Sequence, residues 1–373
     1  MQESKDLKYW VGFSSIQGIG RLRFQVLEKA FPSLEEAWRA STSDLLRAGM
    51  DQRAASAIVA TRPKLDLDGE MEKLARYKVQ ALTWNDPSYP PKLKEIYDLP
   101  PVLYVRGALM PQDDWTLAVV GTRRATAYGK EVTERIVTDL ARNRITIASG
   151  LARGIDYVAH RSAIDAGGRT IAALACGLDL VYPAEHLSLA REIMEHGALI
   201  SEYPLETRPR AEHFPRRNRL LSGIGLGVLV VEAPEASGAL ITANLALEQN
   251  REVFATPGSI LSLVSRGTNR LIQDGAKLVL SFQDILEELN LSSVAQQMEM
   301  KELLPVTDLE SKVLKLLSSS PKHIDEVGRE SGLPIATISS ALAMLELKGM
   351  AKQVGAMNFV LGREAPATYS ARG

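Results

Sequence analysis

A glycine, a hydroxyl and two cations stand side by side at Gly121, Thr122, Arg123 and Arg124. Glycine lets the backbone turn sharply and approach a ligand closely. An arginine fixed at such a turn offers a planar fork of donors to a phosphate or to the edge of a base. Thr122 can either donate to an anion or cap the helix that follows. By itself, the group is equally typical of a helix cap with a solvated arginine.

Small residues mark two further turns, at Ser149 and Gly150 and again at Ser237 and Gly238. Backbone N–H groups and a hydroxyl at such turns form nests that bind anions. The second turn precedes an apolar helical stretch, and a helix N-terminus favours phosphate. These turns therefore predict places where the backbone of a charged polymer could be held.

An arginine-rich segment spans residues 206–219, with five arginines against two glutamates in a chain whose net charge is only -1. Phe214 is interleaved with these cations. Single-stranded nucleic acid needs this combination, because cations hold its backbone and flat aromatic faces stack its bases. Arg216, Arg217 and Arg219 cannot all face one groove, so some of them must form salt bridges instead.

Three other reactive side chains have structural interpretations that we favour over functional ones. Asp156 follows the Ser149 turn and is expected to cap a helix. His160 lies one turn further along and is expected to be packed or at the surface. Cys176, the only cysteine, is expected to be a small buried side chain rather than a nucleophile.

The composition excludes several classes of protein. With 44 Lys+Arg and 45 Asp+Glu, the chain is not globally basic, so a nucleic-acid site must be a local patch. One cysteine allows no disulfide and no cysteine-based zinc site within the chain. We find no paired carboxylates, HExxH, GxSxG, P-loop or GxGxxG pattern, and therefore expect no metal, no cofactor and no nuclease chemistry. No signal segment or membrane span is seen, so we expect a soluble, cytoplasmic protein.

Alternating apolar and amphipathic stretches from Trp115 to Leu289 predict βαβ units and a doubly wound parallel sheet. In such a sheet, ligands bind beyond the carboxyl ends of the strands, where the turns described above fall. Predicted strands are Leu117–Val120, Ile145–Ala148, Thr170–Ala175, Ala198–Ser201, Gly227–Val231, Glu252–Ala255 and Lys277–Leu280. Predicted helices are Tyr128–Arg142, Ile155–Ala166, Leu187–Glu195, Ala239–Asn250, Thr268–Asp274 and Phe282–Leu289.

Two smaller units flank the sheet. Residues 1–80 are predicted to form short helices; their turn at residues 15–20 is similar to a helix-hairpin-helix or SAM-type turn, although a plain packing domain is the simpler interpretation. Residues 81–290 hold the sheet and residues 291–304 form a polar linker. Residues 305–365 are predicted to form a winged helix of three helices and a hairpin around Gly355.

Taken together, the motifs resemble those of the DNA-processing protein A (DprA/Smf) family. The match rests on their order and spacing, which no single motif would support alone. The motifs are 120–123 (VGTR), 149–156 (SGLARGID), 214–219 (FPRRNR), 237–243 (SGALITA), 253–258 (VFATPG) and 267–272 (GTNRLI).

The resemblance implies an extended Rossmann-like domain that binds single-stranded DNA and has no known catalysis. It also implies protection of incoming strands during natural transformation, loading of the RecA recombinase, and a homodimer. The residues that it assigns to single-stranded DNA are Gly121, Thr122, Arg123, Ser149, Gly150, Arg210, Phe214, Arg217, Asn218, Ser237 and Gly238.

Two departures from the family pattern and two rival functions remain. The basic residues before the Phe214 motif are Arg208 and Arg210 where family members often carry lysine. The predicted recognition helix of the winged unit, residues 334–347, has no Lys or Arg, so we expect it to contact protein or to bind DNA weakly. One rival is a nucleotide phosphoribohydrolase-like enzyme, whose PGGxGTxxE loop ends in a glutamate that serves the chemistry. The corresponding turn here begins at Pro234, and after Glu235 the next glutamate is Glu248. The other is a transcription factor that binds its DNA target through the winged helix and uses the Rossmann-like unit as a sensor.

Overall fold

The computed structural model describes residues 3–291, 307–318, 320–347, 350–355 and 357–361. The chain divides into two compact units, Met1–Leu289 and Asn290–Gly373. Residues 292–304 of the predicted linker lie outside the described residues. The finer division of the first unit into a helical domain and a sheet domain stays a prediction, since both belong to one compact unit.

A nine-stranded sheet forms the centre of the first unit, with strand order β1-β2-β6-β5-β4-β3-β7-β8-β9. Its strands from β6 to β9 pair in parallel, which confirms the predicted sheet. The strands are β1 (Val79–Thr83), β2 (Val102–Gly107), β3 (Thr116–Val120), β4 (Thr146–Ser149), β5 (Thr170–Ala173), β6 (Gly197–Ser201), β7 (Gly227–Val230), β8 (Glu252–Ala255) and β9 (Lys277–Leu278).

The antiparallel strands β1 and β2 extend the sheet beyond β6. The sequence predicts a strand at Val102–Arg106, which is β2, but does not place it in the sheet. No strand is predicted at Val79–Thr83, because the strand starts directly after a helix. Lys78 closes that helix in the left-handed conformation, with φ 54°. A single residue thus separates helix from strand, and no Gly/Pro cluster marks the boundary.

The order of the strands sets the position of the functional site. From β3 the chain moves outward through β4, β5 and β6, and then returns to add β7 on the other side of β3. The connections after β3 and β7 therefore leave in opposite directions and open a crevice at the carboxyl ends of these two strands.

Helices cover both faces of this sheet. Alternation along β5 shows the two faces, because Ala172 belongs to one hydrophobic cluster and Ile171 and Ala173 to the other. The helices are α1 (Glu3–Ser14), α2 (Arg21–Ala30), α3 (Leu34–Arg39), α4 (Thr42–Arg47), α5 (Gln52–Thr61), α6 (Leu67–Tyr77), α7 (Pro91–Glu95), α8 (Ala127–Arg142), α9 (Ile155–Asp165), α10 (Leu187–His196), α11 (His213–Ile224), α12 (Gly238–Glu248), α13 (Arg266–Gln273) and α14 (Phe282–Glu288).

The N-terminal helices pack on one face of the sheet, and the described part of this region contains no strand before β1, as predicted. Phe13 and Trp38 share a buried cluster with Tyr104 of β2. The Ser14 and Tyr104 hydroxyls lie 2.9 Å apart and form a hydrogen bond. This packing fits the simpler interpretation of the N-terminal region as a helical packing unit.

The second unit has the helices and hairpin expected of a winged helix. Its helices are Asp308–Leu314, Ile324–Ser331 and Ile335–Leu347, and a three-stranded sheet joins β10 (Lys322–His323), β12 (Asn358–Leu361) and β11 (Ala351–Gln353). The short strand β10 was not predicted. Among the helices of the described residues, none is long and apolar enough to cross a membrane.

Candidate nucleic-acid interface

A cleft of about 420 Å³ opens at the carboxyl ends of β3 and β7, at the crevice set by the strand order. The turns after both strands and the first turns of α11 and α12 form its walls. Most of the predicted binding residues therefore meet in one place. Those lining the cleft are Gly121, Thr122, Arg123, Phe214, Arg217, Asn218, Ser237 and Gly238.

Arg123 and Phe214 lie on the same side of the domain, as the sequence predicts. The Cζ atom of Arg123 is 5.3 Å from the centre of the Phe214 ring. Arg123 is exposed and Phe214 is half-buried. A cation at this distance from an aromatic face is attracted to it, and both groups remain open to a ligand. The rim of the cleft thus combines one cation with one stacking surface.

The Gly121–Arg124 turn is held by main-chain and side-chain contacts. The amide of Thr122 donates to the carbonyl of Glu232 at 2.7 Å. The Thr122 hydroxyl accepts from the amide of Arg124 at 3.2 Å, so its role within the protein is to shape the turn. Gly154, with φ 76°, passes so close that a Cβ would stand 2.2 Å from the Thr122 carbonyl oxygen. Only glycine fits there.

Arg217 lies beneath the cleft with only 4% of its surface exposed. Its Nη1 donates to the carbonyl of Gly150 at 2.7 Å and also to the carbonyl of Ala173. Its Cζ atom is 6.0 Å from the Phe214 ring centre. A Cβ on Gly150 would come within 2.3 Å of the guanidinium, so the glycine makes room for it. Arg217 is mainly a support for the floor and for Phe214.

Asp156 supplies the negative charge near that buried cation. Its carboxylate accepts from the amides of Gly150 and Ala152, at 3.1 and 3.4 Å. Burial raises the pKa of Asp156, and the nearby Arg217 opposes that shift. Burial lowers the pKa of Arg217, and Asp156 opposes it in turn. Asp156 thus has a structural role, but it holds the loop before the helix rather than capping α9, which begins after Gly154.

The N-terminus of α12 forms the wall opposite the arginine turn. The Ser237 hydroxyl caps the helix by accepting from the amide of Ala239 at 3.3 Å. The side-chain amide Nδ2 of Asn218 donates to the carbonyl of Gly238 at 3.4 Å and so joins α11 to this turn. Backbone N–H groups at a helix N-terminus carry partial positive charge, which favours a phosphate.

Three predicted binding residues, Ser149, Gly150 and Arg210, do not line the cleft. Gly150 is buried beside the Arg217 guanidinium, which its missing Cβ accommodates. Ser149 is fully buried, and its hydroxyl donates to the carbonyl of Val119 at 2.6 Å. Its hydrogen bond ties β4 to β3, which leaves no surface for a ligand. Arg210 is exposed and lines a separate cavity with Arg208. Its guanidinium is 3.8 Å from Glu212. That cavity is also lined by His213 and Arg216 of α11 but not by Phe214, so Arg210 lies beside a different face of the helix.

The arginines of α11 divide as expected, since only one of them lines the cleft. Arg216 is 3.1 Å from Glu202, and the buried Arg219 is 2.6 Å from the same carboxylate. The cleft-lining residues Phe214, Arg217, Asn218 and Leu221 follow the three- and four-residue spacing of one helix face.

His160 and Cys176 have the structural roles that the sequence favours. His160 is fully buried, and its Nδ1 is 2.7 Å from the Thr170 hydroxyl. Burial lowers the pKa of His160 to about 3. Burial raises the pKa of Cys176 to about 12, which keeps the thiol protonated. Within the described residues, no group of three or more His, Cys, Asp or Glu side chains could hold a metal ion.

Two residues at the site were missed from sequence. Glu232, buried directly after β7, accepts from the hydroxyl and amide of Thr126 at 2.5 and 3.0 Å and so anchors the arginine turn. Tyr182 packs its ring against Phe214, with centres 5.6 Å apart. Two signals in the sequence could have indicated them. Glu232 is a charged residue at the end of an apolar strand, and Tyr182 is an aromatic residue in the loop after β5.

Comparison with known proteins shows the family of the chain. Residues 80–290 match the family model described as DNA recombination-mediator protein A, and residues 299–357 match the DprA winged helix domain. The chain belongs to the DNA-processing protein A family. Protein Smf of Synechocystis is 34% identical over 94% of this chain and 98% of its own length. DprA of Bacillus subtilis is 46% identical over 58% of this chain and 74% of its own length.

Two solved structures of the DNA-processing protein A family resemble this chain. DprA of Streptococcus pneumoniae superposes with a TM-score of 0.66 at 37% identity and covers 75% of this chain and 96% of its own. DprA of Helicobacter pylori superposes with a TM-score of 0.52 at 30% identity and covers 58% of this chain and 97% of its own. The latter structure describes how that protein binds single-stranded DNA.

Proposed function

We propose that this protein binds single-stranded DNA in the cleft at the carboxyl ends of β3 and β7 and does not cut it. The observation that carries the proposal is the 5.3 Å approach of the Arg123 guanidinium to the Phe214 ring at the rim of that cleft. A phosphate at Arg123 and a base on Phe214 would belong to one short stretch of a strand. Each stacked base contributes about 1–3 kcal/mol.

A local site also fits the charge of the chain. With a net charge of -1, the protein gains no general attraction to polyanions, so affinity must come from groups arranged in one place. The cleft offers Arg123, Arg124 and the N-terminus of α12 to phosphates. Its carboxylate, Asp156, is already bound to two amides.

The proposal is tested by fluorescence anisotropy with a labelled oligothymidylate and a duplex of the same length. We expect tight binding of the single strand, much weaker binding of the duplex, and no cleavage of either. Affinity should fall with salt, with a slope of about -0.7 for each phosphate neutralised. Equal affinity for both forms, or no binding of the single strand, would contradict the proposal.

The rival phosphoribohydrolase gains no support from the cleft. Such chemistry needs a carboxylate free to act on the sugar, and Asp156 is the one carboxylate among the described residues that line the cleft. Its oxygen is held by the Gly150 and Ala152 amides, and burial raises its pKa. We therefore propose a binding protein rather than an enzyme.

We also propose that the protein forms a homodimer. β9 is the last strand of the sheet, and Leu280 beyond it is 71% exposed. Ile260 and Leu261, in the loop after β8, are 82% and 87% exposed. These side chains follow the ends of two neighbouring strands, since Ala255 of β8 pairs with Leu278 of β9, and exposed apolar surface marks interaction sites. We expect sedimentation equilibrium to give a dimer mass for the parent protein and a monomer mass for Leu280→Glu; a monomeric parent would contradict the assignment.

We further propose that the protein loads the RecA recombinase onto incoming strands in the cytoplasm during natural transformation. This proposal is supported by membership of a family whose model is described as a recombination mediator. A direct test is RecA filament formation on a strand coated with single-strand-binding protein. The protein should shorten the lag before filaments form, and an unchanged lag would exclude loading.

A further inference from the structure

Phe214 stands between two depressions. One is the cleft already described, and the other is a shallow hollow lined by Arg123, Arg153, Tyr182, Pro183 and Phe214. Arg123 and Phe214 line both. The hollow therefore continues the rim of the cleft beyond the aromatic ring, and a strand leaving the cleft over Phe214 would enter it.

We propose that Tyr182 is a second base-stacking residue, which receives the nucleotide next to the one on Phe214, and that Arg153 contacts the phosphate there. This inference rests on the proposed function and extends it by one nucleotide subsite. The occupant is a single strand of nucleic acid, since the hollow offers an aromatic face and a guanidinium and continues a groove with the same two features.

The aromatic pair is arranged to separate bases. Tyr182 is 46% exposed, and its ring meets that of Phe214 at 62° with centres 5.6 Å apart. Adjacent bases in a duplex strand rise by about 3.4 Å. Bases on these two rings would thus be tilted and spread apart. Paired, stacked bases cannot adopt that arrangement, so the subsite would add to discrimination against duplex.

Arg153 is fixed in a way that leaves part of its guanidinium open. Its Nε and Nη2 donate to the two oxygens of Glu185 at 2.7 and 2.8 Å. Within the described residues Nη1 makes no hydrogen bond, and more than half of the side chain is exposed. The bidentate contact fixes the plane of the fork, and Nη1 remains available to a phosphate oxygen.

The length of the bound strand provides the test. Anisotropy titrations would compare the parent protein with Tyr182→Ala over oligothymidylates of increasing length. Tyr182→Ala should leave the shortest binding oligomers unaffected and weaken longer ones by about fivefold to fiftyfold. Tyr182→Phe should bind like the parent because it keeps the ring. Tyr97→Ala is the matched control, since Tyr97 is exposed but lines a different cavity.

Photocrosslinking tests the same point without a substitution. A strand containing 5-iodouracil, irradiated on the parent protein, should attach to the peptide that contains Tyr182 as well as to that of Phe214. The inference is overturned if the parent binds the strand but neither attaches it at Tyr182 nor depends on Tyr182 at any length. The proposed function itself fails in a different way, when the parent binds no single strand at all.

Discussion

Arg123→Ala should weaken the binding of oligothymidylate by about 10- to 100-fold, because it removes a charge-assisted hydrogen bond to phosphate. It also removes the cation that lies 5.3 Å from the Phe214 ring. Because one phosphate contact is lost, the slope of log affinity against log salt concentration should become shallower by about 0.7. Anisotropy titrations at several salt concentrations measure both effects.

Two further variants show whether the loss belongs to the position or to general charge. Arg135→Ala removes an exposed arginine of α8 that does not line the cleft, and it should bind like the parent. Arg123→Lys keeps the charge but not the planar fork, so we expect an intermediate affinity. Normal binding by Arg123→Ala would show that the strand does not occupy this cleft.

Arg217→Met should lower the free energy of unfolding by about 1–3 kcal/mol, because the buried Asp156 loses a nearby positive charge that opposes the cost of its burial. The carbonyls of Gly150 and Ala173 would lose their donor as well. Binding should fall together with stability, since this guanidinium supports Phe214 from below. Urea unfolding measures the first effect and anisotropy the second.

The stability difference should also depend on pH. In the folded protein burial raises the pKa of Asp156 and Arg217 opposes that rise, so without Arg217 the pKa rises further. A carboxyl whose pKa is raised by folding gains relative stability as pH falls through the folded value. The deficit of Arg217→Met should therefore shrink on acidification. A deficit that grows towards low pH would contradict this account of the pair.

Arg219→Met is the matched control for Arg217→Met. Arg219 is also buried on α11 and is paired with Glu202 at 2.6 Å, but it does not line the cleft. We expect a comparable loss of stability with unchanged binding. If both variants lost binding equally, the effect would be a general consequence of destabilising α11, and the special role of Arg217 would be lost.

The sequence predicts the rim of the site better than its interior. Turns such as Gly121–Arg124 and Ser237–Gly238 follow buried strands, and parallel strands bring their carboxyl ends to one edge. We assign no helix to the arginine-rich segment from sequence, because Pro215 and three arginines obscure its apolar face. The α11 helix tolerates that proline because it lies in the first turn. The position of each arginine follows from this helix.

Side-chain burial is the part that sequence could not provide. Ser149 and Arg217 are both polar residues beside candidate turns, and nothing in their types says that one ties two strands together and the other supports the floor. The contribution of Glu232 depends on Thr126, which is distant in sequence. Such contacts arise only when the strand order brings β3 and β7 together.

The most direct measurement is a crystal structure of the protein with a bound oligothymidylate. We expect one phosphate within hydrogen-bonding distance of the Arg123 guanidinium and a base stacked on the ring of Phe214. A strand bound elsewhere, on the winged-helix unit or along the Arg208–Arg210 cavity with this cleft empty, would contradict the assignment.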